Sequence, residues 1–591
     1  MKKLLLILAI GLFQFSSGYA AIIWYAASYI VPSPTTGSAP GPGDAAEDFS
    51  LIAGTCTLSS NASIQSITSS GGNSLIISGS STITVGADVN IGSGCSLTVQ
   101  SGSTLIITTS IANGGTITVQ KGANLIQVNN VSNSGAGSYS INATGNGSAS
   151  RYNLWSSPVS SSVISSTFSG SEICDIYYFN ASAQAWTRDV ASSTCVPTAP
   201  TSGDGVMNSG RGYVVAGGGS VSFSGSINNG NVNSTVSTGS NPGSGWAGDS
   251  WNLIGNPYPS AISCTDFLGA NSGNIQGTVY LWDDDGTAGG GYDGGTDFAT
   301  WNLAGGSGSP GGGGGTGTVP NGFIATGQGF FVQAIAGGSV SFTNVMRGGD
   351  NSQFFKREKE DIVRVRMNAI SPNNYSNPIL IAFSDSATDG MDWGYDSKKL
   401  SFNSNFNFGS SMEGAQEPYV IQSFAKAALL DEKEVPLSVY SSESGVVVME
   451  LLATENLDSN VVIYLKDSKT GKLQDLSSGP FSVYLNASET YKTRFSVIFV
   501  NKSGPNPTGI ETVDELYMNV YSYNNTLYVN GKSNSLNSVD IIDLNGHVVM
   551  TRSLNGSERS SISVNELAPG LYVAKVTSNS NEIGSQTFVV N

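Results

Sequence analysis

The chain has 591 residues, of which 74 are glycine and only 12% are charged, and its formal net charge at pH 7 is -17. Abundant glycine with few charges favours β-strands joined by tight turns, and the length provides for several domains of about 100 to 200 residues. The acidic balance argues against nucleic acid as a partner, because phosphate contacts require clustered Lys and Arg.

The N-terminus has the pattern of a secretory signal peptide. Lys2 and Lys3 precede an apolar run, and small residues close it at Ala20. We therefore expect export, with a signal peptide over residues 1–20. Apolar residues continue to Val31, so an uncleaved segment long enough to span a bilayer is the alternative. Residues 21–54, which are rich in Pro, Ser, Thr and Gly between 31 and 44, are predicted to be a linker or disordered.

Residues 55–148 contain a repeat. The alternating apolar run around Leu97 returns about twenty residues later around Ile117, with Gly and Asn between the runs. This period predicts the coils of a short parallel β-solenoid. Between 51 and 150 only Asp88 and Lys121 are charged. Solenoid lyases and hydrolases need several charged groups in one groove, so this segment lacks the residues for catalysis.

Residues 149–353 are an internal duplication, with copies at about 149–245 and 246–353. Tyr152-Asn-Leu-Trp returns as Trp251-Asn-Leu-Ile, and Gly210-Arg-Gly-Tyr returns as Gly327-Gln-Gly-Phe. The motifs keep their order, which predicts two β-modules of the same fold.

The second copy carries an acidic, glycine-rich insertion. Carboxylate oxygens crowded on a flexible loop suit Ca²⁺, so one interpretation is a calcium site at Asp283, Asp285, Asp293 and Asp297. The other is a solvated loop without metal. Nearby aromatic residues either stack on sugar rings or belong to the core; they are Trp246, Trp251, Trp282, Tyr292 and Trp301.

The rest of the upstream region contains a further β-domain, an acidic cluster and a candidate disulfide. Residues 354–501 are predicted to be a β-sandwich, followed by a linker over 502–515. Asp385, Asp389, Asp392 and Asp396 form a second acidic cluster there, which we interpret as the side chains of a turn that hydrogen-bond to nearby backbone.

Cys174 and Cys195 bracket a predicted hairpin and are the best candidates for a disulfide. No Cys-x-x-Cys occurs, which argues against a thiolate zinc site.

The C-terminal residues 516–591 alternate apolar and polar side chains between turn residues. Asn545-Gly546 favours a tight hairpin, so residues 539–544 and 547–552 are expected to pair antiparallel. Tyr572, Ala574 and Val576 fall on one face of a later strand, which predicts a small sandwich with one buried side.

Five residues within this region carry a resemblance to a known family: Asp543, Gly546, Pro569, Gly570 and Tyr572. The run Asp-Leu-Asn-Gly, followed by Leu-Ala-Pro-Gly-Leu-Tyr, resembles the type A C-terminal sorting domain of type IX secretion substrates. The resemblance implies an Ig-like sandwich, recognition by the type IX translocon and export to the surface of a Gram-negative bacterium. It also implies removal of the domain and either attachment to lipopolysaccharide or release. His547 stands where the family usually has Arg.

The only histidine in the chain is His547, inside the sorting region. A Ser-His-Asp or Cys-His pair is therefore excluded from the rest of the protein, as is a His-ligated zinc site. We predict an all-β, exported, non-enzymatic protein with an adhesive or structural role, with no catalytic residues and no cofactor besides the possible Ca²⁺. The alternatives are a calcium-dependent glycan-binding protein and a glycoside hydrolase that uses carboxylates alone.

Overall fold

The computed structural model describes residues 22–24, 29–30, 48–51, 54–145, 152–169, 171, 176–188, 205–217, 219–241, 249–283, 298–309, 316–348, 361–399, 405–412, 414–415, 417–430, 432–502, 518–523, 526–531, 536–543, 546–557, 559–579 and 583–590. The chain divides into two compact units. Unit one comprises Met1–Arg366, Asn374–Lys426 and Thr454–Asn456, and unit two comprises Met367–Asn373, Ala427–Ala453 and Leu457–Asn591. The described part is almost entirely β-structure, as predicted, and no helix in it is long and apolar enough to cross a membrane.

Unit one begins with the predicted parallel β-solenoid, whose strands form three sheets. The first sheet contains β1 (Ile22–Trp24), β3 (Asp48–Leu51), β6 (Ser66–Ser69), β9 (Val89–Ile91) and β12 (Ile111–Asn113). The second contains β2 (Tyr29–Ile30), β4 (Thr55–Leu58), β7 (Ser74–Ile77), β10 (Ser96–Val99), β13 (Thr116–Val119) and β15 (Ser138–Thr144). The third contains β5 (Ala62–Ile64), β8 (Thr82–Val85), β11 (Thr104–Ile107) and β14 (Asn124–Gln127).

The register of the second sheet confirms the repeat that the sequence predicts. Leu97 pairs with Ile117 on one side and with Leu75 on the other, and all three side chains are fully buried. Burial of each such side chain stabilises the fold by about 1.5 to 3 kcal/mol relative to exposure. Stacked apolar side chains at every second position therefore account for the solenoid core.

Part of the segment predicted to be a linker, 21–54, is paired in the structure. β1 lies parallel to β3, and β3 lies parallel to β6. In β3 the apolar residues Phe49 and Leu51 alternate with polar ones, as expected for a strand of the solenoid sheet. The Pro-rich stretch between them lies outside the described residues.

The last coil of the solenoid is closed by an antiparallel strand. β15 pairs in parallel with β13 and antiparallel with β22 (Ser220–Ser224). The inward-facing Phe223 joins the same core cluster as Leu97. An open sheet edge exposes unpaired backbone groups, and β22 covers this one.

The duplication has the same strand order in both copies, here called module one and module two. Module one contains β16 (Tyr152–Trp155), β17 (Ser162–Val163), α1 (Ile164–Thr167), β18 (Ile176–Asn180), β19 (Ala185–Arg188), β20 (Val206–Met207), β21 (Tyr213–Ala216) and β22. Module two contains β23 (Val232–Val236), β24 (Trp251–Gly255), β25 (Ala261–Ser263), α2 (Cys264–Ala270), β26 (Thr278–Trp282), β27 (Phe298–Asn302), β28 (Gly305–Ser307), β29 (Phe323–Ile324), β30 (Gly329–Gln333), β31 (Gly338–Phe342) and β32 (Arg347–Gly348).

Equivalent strands of the modules make equivalent pairs. The main sheet has the order β16-β21-β18-β19 in module one and β24-β30-β26-β27-β28 in module two. β17 pairs with β20, as β25 pairs with β29. The closing strands also match, because β22 pairs with β15 and β31 pairs with β23. In each copy the closing strand thus pairs with a strand that precedes the first sequence motif, β15 of the solenoid in one case and β23 in the other.

The predicted sandwich over 354–501 contributes segments to both units. Its strands are β33 (Val363–Ile370), β34 (Ser376–Ser384), β35 (Ser397–Lys398), β36 (Phe406–Ser410), β37 (Tyr419–Ala425), β38 (Lys433–Ser441), β39 (Gly445–Glu455), β40 (Val461–Asp467), β41 (Lys472–Asp475), β42 (Phe481–Leu485) and β43 (Glu489–Asn501). Short 3₁₀ helices occur at Asn344–Met346 and Lys426–Leu430. In unit one β34 is parallel to β37, and in unit two β43 pairs antiparallel with both β38 and β40.

The C-terminal part of unit two is the predicted small sandwich. One sheet contains β44 (Met518–Tyr523), β45 (Thr526–Gly531) and β48 (Arg559–Ser563), and the other contains β46 (Leu536–Ile542), β47 (Val548–Ser557), β49 (Gly570–Ser578) and β50 (Ile583–Val590). β46 pairs antiparallel with β47, with Val539 opposite Arg552, which confirms the predicted hairpin. Tyr572, Ala574 and Val576 are buried on one face, also as predicted.

Candidate binding cleft

The two modules meet through equivalent backbone contacts. Ser156 N donates to Gly327 O at 2.8 Å, and at the equivalent place in the other copy Gly255 N donates to Gly210 O at 3.0 Å. In each contact the first strand of one main sheet meets the Gly-x-Gly motif of the other module. The module pair is therefore related by an approximate twofold symmetry, and we call these contacts crossing one and crossing two.

The middle residue of each Gly-x-Gly motif adds a β-bridge to its crossing. Gln328 forms a bridge with Trp155 at crossing one, and Arg211 forms a bridge with Ile254 at crossing two. The guanidinium of Arg211 also lies 3.9 Å from the centre of the Tyr178 ring. The backbone arrangement is thus shared, while the side chains at the two crossings differ.

Close approach explains the second glycine of each motif. A Cβ on Gly212 would lie 2.4 Å from Leu253 Cγ, and a Cβ on Gly329 would lie 3.1 Å from Trp155 O. A separation under about 3.0 Å forces the neighbour to shift. The Gly-x-Gly pattern, which the sequence identifies only as a repeat, therefore serves the packing of the modules.

An aromatic cluster fills the space between the two main sheets. Trp251 lies edge-to-face on Tyr280 at 5.0 Å, and Phe179 lies edge-to-face on Phe331 at 5.4 Å. Such pairs contribute about 0.5 to 1.5 kcal/mol beyond the area they bury. The cluster combines residues of both copies, so neither module buries its sheet alone.

The aromatic residues that the sequence offered for sugar stacking have different positions. Trp251 is 2% exposed and belongs to the core. Trp301 is half-buried and packs against the core of module two, whereas Trp282 is half-buried beside a cleft. Trp246 and Tyr292 lie outside the described residues.

A cleft of about 590 Å³ lies at crossing one, between the solenoid and the modules. Trp282 Nε1 donates to Tyr152 O at 2.9 Å, which fixes the indole of module two against the first strand of module one. The lining includes Lys121 and Asn142 from the solenoid, Tyr152 and Trp155 from β16, and Trp282 and Gln328 from module two. A volume of this size and a mixed aromatic and polar lining are typical of small-molecule sites.

Two side-chain donors at the cleft have spare hydrogen-bonding capacity. Trp155 is 3% exposed, and its Nε1 has no acceptor among the described residues. Gln328 is half-buried, and its Oε1 accepts a hydrogen bond from Ala325 N at 3.0 Å, which leaves the amide nitrogen as a donor. A buried indole N–H usually has a partner, because an unpaired donor costs about 1 to 3 kcal/mol.

Of the residues predicted to bind calcium, the structure describes only Asp283. Its carboxylate accepts hydrogen bonds from Ser309 Oγ at 2.5 Å and from Thr316 Oγ1 at 2.8 Å, so both oxygens are engaged. The other predicted ligands lie outside the described residues; they are Asp285, Asp293 and Asp297. Within the described ranges, no group of three or more His, Cys, Asp or Glu residues is placed to hold a metal ion.

The second acidic cluster has the hydrogen bonds of a turn. Asp392 Oδ1 accepts from Thr388 Oγ1 at 3.1 Å. Asp396 accepts from Asp392 N and from Ser423 N, each at 2.7 Å. Burial raises the pKa of Asp396 to about 6, despite these two hydrogen bonds. These hydrogen bonds stabilise a loop, in agreement with the interpretation of the cluster as part of a turn.

Arg347 is a buried cation that sequence reasoning missed. Its Nη2 donates to Leu125 O at 2.5 Å, its Nε donates to Ser260 Oγ at 3.2 Å, and its guanidinium lies 4.9 Å from the centre of the Tyr258 ring. Burial lowers the pKa of Arg347. All of its hydrogen bonds go to neutral oxygens, so it ties module two to the last solenoid coil without a carboxylate partner. Its only sequence signal is a single Arg in a region with few charges.

The predicted disulfide, Cys174 to Cys195, lies outside the described residues. The other three cysteines are Cys56, Cys95 and Cys264, and each is a buried free thiol. Burial raises the pKa of Cys56 and Cys264, which keeps them protonated and unreactive.

The predicted sorting residues lie in two turns of the C-terminal sandwich. Asp543 accepts a hydrogen bond from His547 N at 2.9 Å, and Gly546 has a φ of 86°, which a residue with a side chain rarely adopts. Tyr572 OH donates to Ala568 O at 2.9 Å. This bond fixes the turn that contains Pro569 and Gly570, so the motif residues have structural roles in their own domain.

Comparison with known proteins gives two family matches. A model described as "Domain of unknown function (DUF8693)" matches residues 54–499, and one described as "Secretion system C-terminal sorting domain" matches residues 523–591. The second match confirms the predicted sorting domain.

No curated protein matches the chain. A solved structure titled "Biofilm associated protein - BSP domain" is 12% identical and aligns over 75% of this chain and 91% of that chain, with a TM-score of 0.15. At this TM-score the likeness has no bearing on function.

Proposed function

The chain belongs to the DUF8693 family, and on that premise we propose that it is a non-enzymatic adhesive protein of the outer cell surface. Its sorting domain makes it a substrate of the type IX secretion machinery, so it is secreted or displayed on the outer membrane of a Gram-negative bacterium. The adhesive role is the part of the proposal that goes beyond the family matches. It is supported by the outward face of the second solenoid sheet.

That face presents hydroxyl groups in regular rows. Ser96 and Thr98 of β10 alternate with buried Leu97, and Thr116 and Thr118 occupy the same positions on β13. Strands lie about 4.8 Å apart, and alternate residues along a strand lie about 6.6 Å apart, so the hydroxyls form a two-dimensional array.

Hydrogen bonds within the face keep the array ordered. Ser96 Oγ donates to Ser74 Oγ at 2.9 Å, and Thr116 Oγ1 lies 3.2 Å from Ser138 Oγ. The array contains no ionised side chain, because the only charged residues in this part of the chain are Asp88 and Lys121. A broad, uncharged face of hydroxyls suits attachment to hydrated surfaces rather than proton transfer.

The test measures adhesion of cells that produce the full chain. We expect firm attachment to a polysaccharide-coated surface and loss of attachment when Thr98 and Thr118 are both changed to Glu. Thr98 and Thr118 are half-buried, whereas Thr68 on β6 of the first sheet is exposed. The control is Thr68→Glu, which should leave attachment unchanged. Equal attachment of all three strains would refute the proposal.

Surface delivery is checked separately with a chain that ends at Pro507. This strain should lose both surface display and attachment, because it lacks the sorting domain. Chelation with EGTA examines the calcium-dependent alternative, since only that alternative predicts loss of binding without calcium.

A further inference from the structure

We propose that the cleft at crossing one binds an uncharged saccharide. This goes beyond the adhesive role, because it assigns a defined ligand site to the module pair rather than to the solenoid face. The observations that support it are the aromatic wall, the available donors and the balance of charge around the cleft.

The aromatic wall is held in place from both modules. Trp282 lies edge-to-face on Phe298 at 5.2 Å, and its Nε1 donates to Tyr152 O. An indole fixed on two sides loses little conformational freedom when a ligand packs on it. Sugar rings present C–H faces that pack well on aromatic rings. Trp is also one of the residue types enriched at binding hot spots.

Hydrogen-bond donors border that wall. Trp155 Nε1 is buried without an acceptor among the described residues, and Gln328 Nε2 is available as a donor. Asn142 Oδ1 accepts from Ser140 Oγ at 3.3 Å, which leaves its amide nitrogen for a ligand. Sugar hydroxyls serve as acceptors for such N–H groups and as donors to carbonyl oxygens, so they match this lining.

The charges around the cleft favour a neutral ligand. The charged side chains that line it are Lys121 and Asp283, which have opposite charges. Both carboxylate oxygens of Asp283 already accept hydrogen bonds from Ser309 and Thr316. A uronate would face this carboxylate, and a cationic ligand would face the lysine, so an uncharged saccharide fits best.

Crossing two carries a different residue at the equivalent position. There Arg211 occupies the place of Gln328 and packs on the Tyr178 ring at 3.9 Å. The shorter, neutral Gln328 leaves its crossing with a cleft of about 590 Å³. The difference between equivalent residues points to a site that belongs to crossing one.

The experiment is calorimetric titration of the purified full chain with neutral gluco-, xylo- and manno-oligosaccharides, with an oligouronate as the charged comparison. We expect one neutral oligosaccharide to bind, with an affinity that changes little between low and high salt. Gln328→Ala and Trp282→Ala should each weaken it at least about tenfold, since one good hydrogen bond or ring contact corresponds to about 1.4 kcal/mol.

The matched control is Trp186→Ala. Trp186 belongs to the same aromatic cluster and lies 5.9 Å from Phe331, but it does not line the cleft. It should lower stability as Trp282→Ala does while leaving the affinity unchanged. Binding of the oligouronate alone, no binding of any neutral oligosaccharide at millimolar concentration, or equal weakening by Trp186→Ala would each overturn the proposal.

The titration is independent of the adhesion test. The variant with Glu at positions 98 and 118 should bind the oligosaccharide normally, because neither residue lines the cleft. Loss of attachment with retained titration would therefore support both proposals. If the unchanged chain attaches to the coated surface but binds no oligosaccharide in the titration, only the saccharide site is rejected.

Discussion

Modules one and two share a strand order and differ at a few equivalent side chains. At the two crossings the backbone hydrogen bonds are nearly the same length, 2.8 and 3.0 Å, although the central residue is Gln328 in one and Arg211 in the other. After the closing strand, module one has Asn228 where module two has Arg347. Duplication has therefore kept the main-chain geometry and left the side chains free to acquire separate roles.

The largest expected effect is at Arg347. Arg347→Met should lower the free energy of unfolding of unit one by about 3 kcal/mol, because the Leu125 and Gln127 carbonyls lose a buried donor. Thermal unfolding followed by tryptophan fluorescence measures the change.

The comparison residue in module one is Asn228, whose Nδ2 donates to Pro257 O at 2.9 Å. Its Nδ2 also donates to Ser157 O at 3.3 Å, and its Oδ1 accepts from Ser209 Oγ at 3.2 Å. Asn228→Ala should cost about 1 to 2 kcal/mol, because these partners are neutral and the side chain is only half-buried. If Asn228→Ala were as destabilising as Arg347→Met, the buried cation would have no special role in module two.

The next effect concerns the second glycine of each motif. Gly212→Ala should cost about 3 kcal/mol, because its Cβ would lie 2.4 Å from Leu253 Cγ. Gly329→Ala should cost about 1 kcal/mol, because its nearest contacts are at 3.1 Å. Melting temperatures of the two variants show which substitution destabilises the protein more.

Gly273→Ala is the control for these substitutions, since a Cβ there meets nothing within 4 Å. Its melting temperature should stay close to that of the unchanged chain. A reversed order of Gly212→Ala and Gly329→Ala would mean that crossing two is the looser of the two contacts.

Arg211 provides a smaller test of the same comparison. Arg211→Gln gives crossing two the residue found at crossing one and removes the contact with the Tyr178 ring. A partly exposed cation–π contact contributes about 0.5 to 1 kcal/mol, so the melting temperature should fall slightly. Unchanged or increased stability would show that the guanidinium has no packing role there.

The sequence predicts well whatever depends on local alternation. The pairing of Leu97 with Ile117 and the hairpin from Val539 to Arg552 follow from apolar residues at every second position and from turn residues between them. The duplication was also visible, because its motifs keep their order. These features need no knowledge of distant contacts.

Contacts between distant residues were not visible in this way. Arg347 donates to Leu125, which lies 222 residues earlier, and no periodicity links the two. The strands that pair with the two closing strands, β15 and β23, share no sequence motif, so the repeats do not predict this pairing. The cleft likewise combines the solenoid with both modules, and Trp282 was identified only as one of several aromatic residues near the acidic loop.

The reciprocal exchange, Gln328→Arg, is the most informative test for the cleft. Arg cannot accept the hydrogen bond that Ala325 N donates to Gln328 Oε1, so the free energy of unfolding should fall slightly, by about 0.5 to 1 kcal/mol. The guanidinium should also occupy the ligand space and place a second cation beside Lys121. Calorimetric titration well below the melting temperature should therefore show loss of neutral oligosaccharide binding, whereas tight binding in this variant would place the ligand elsewhere.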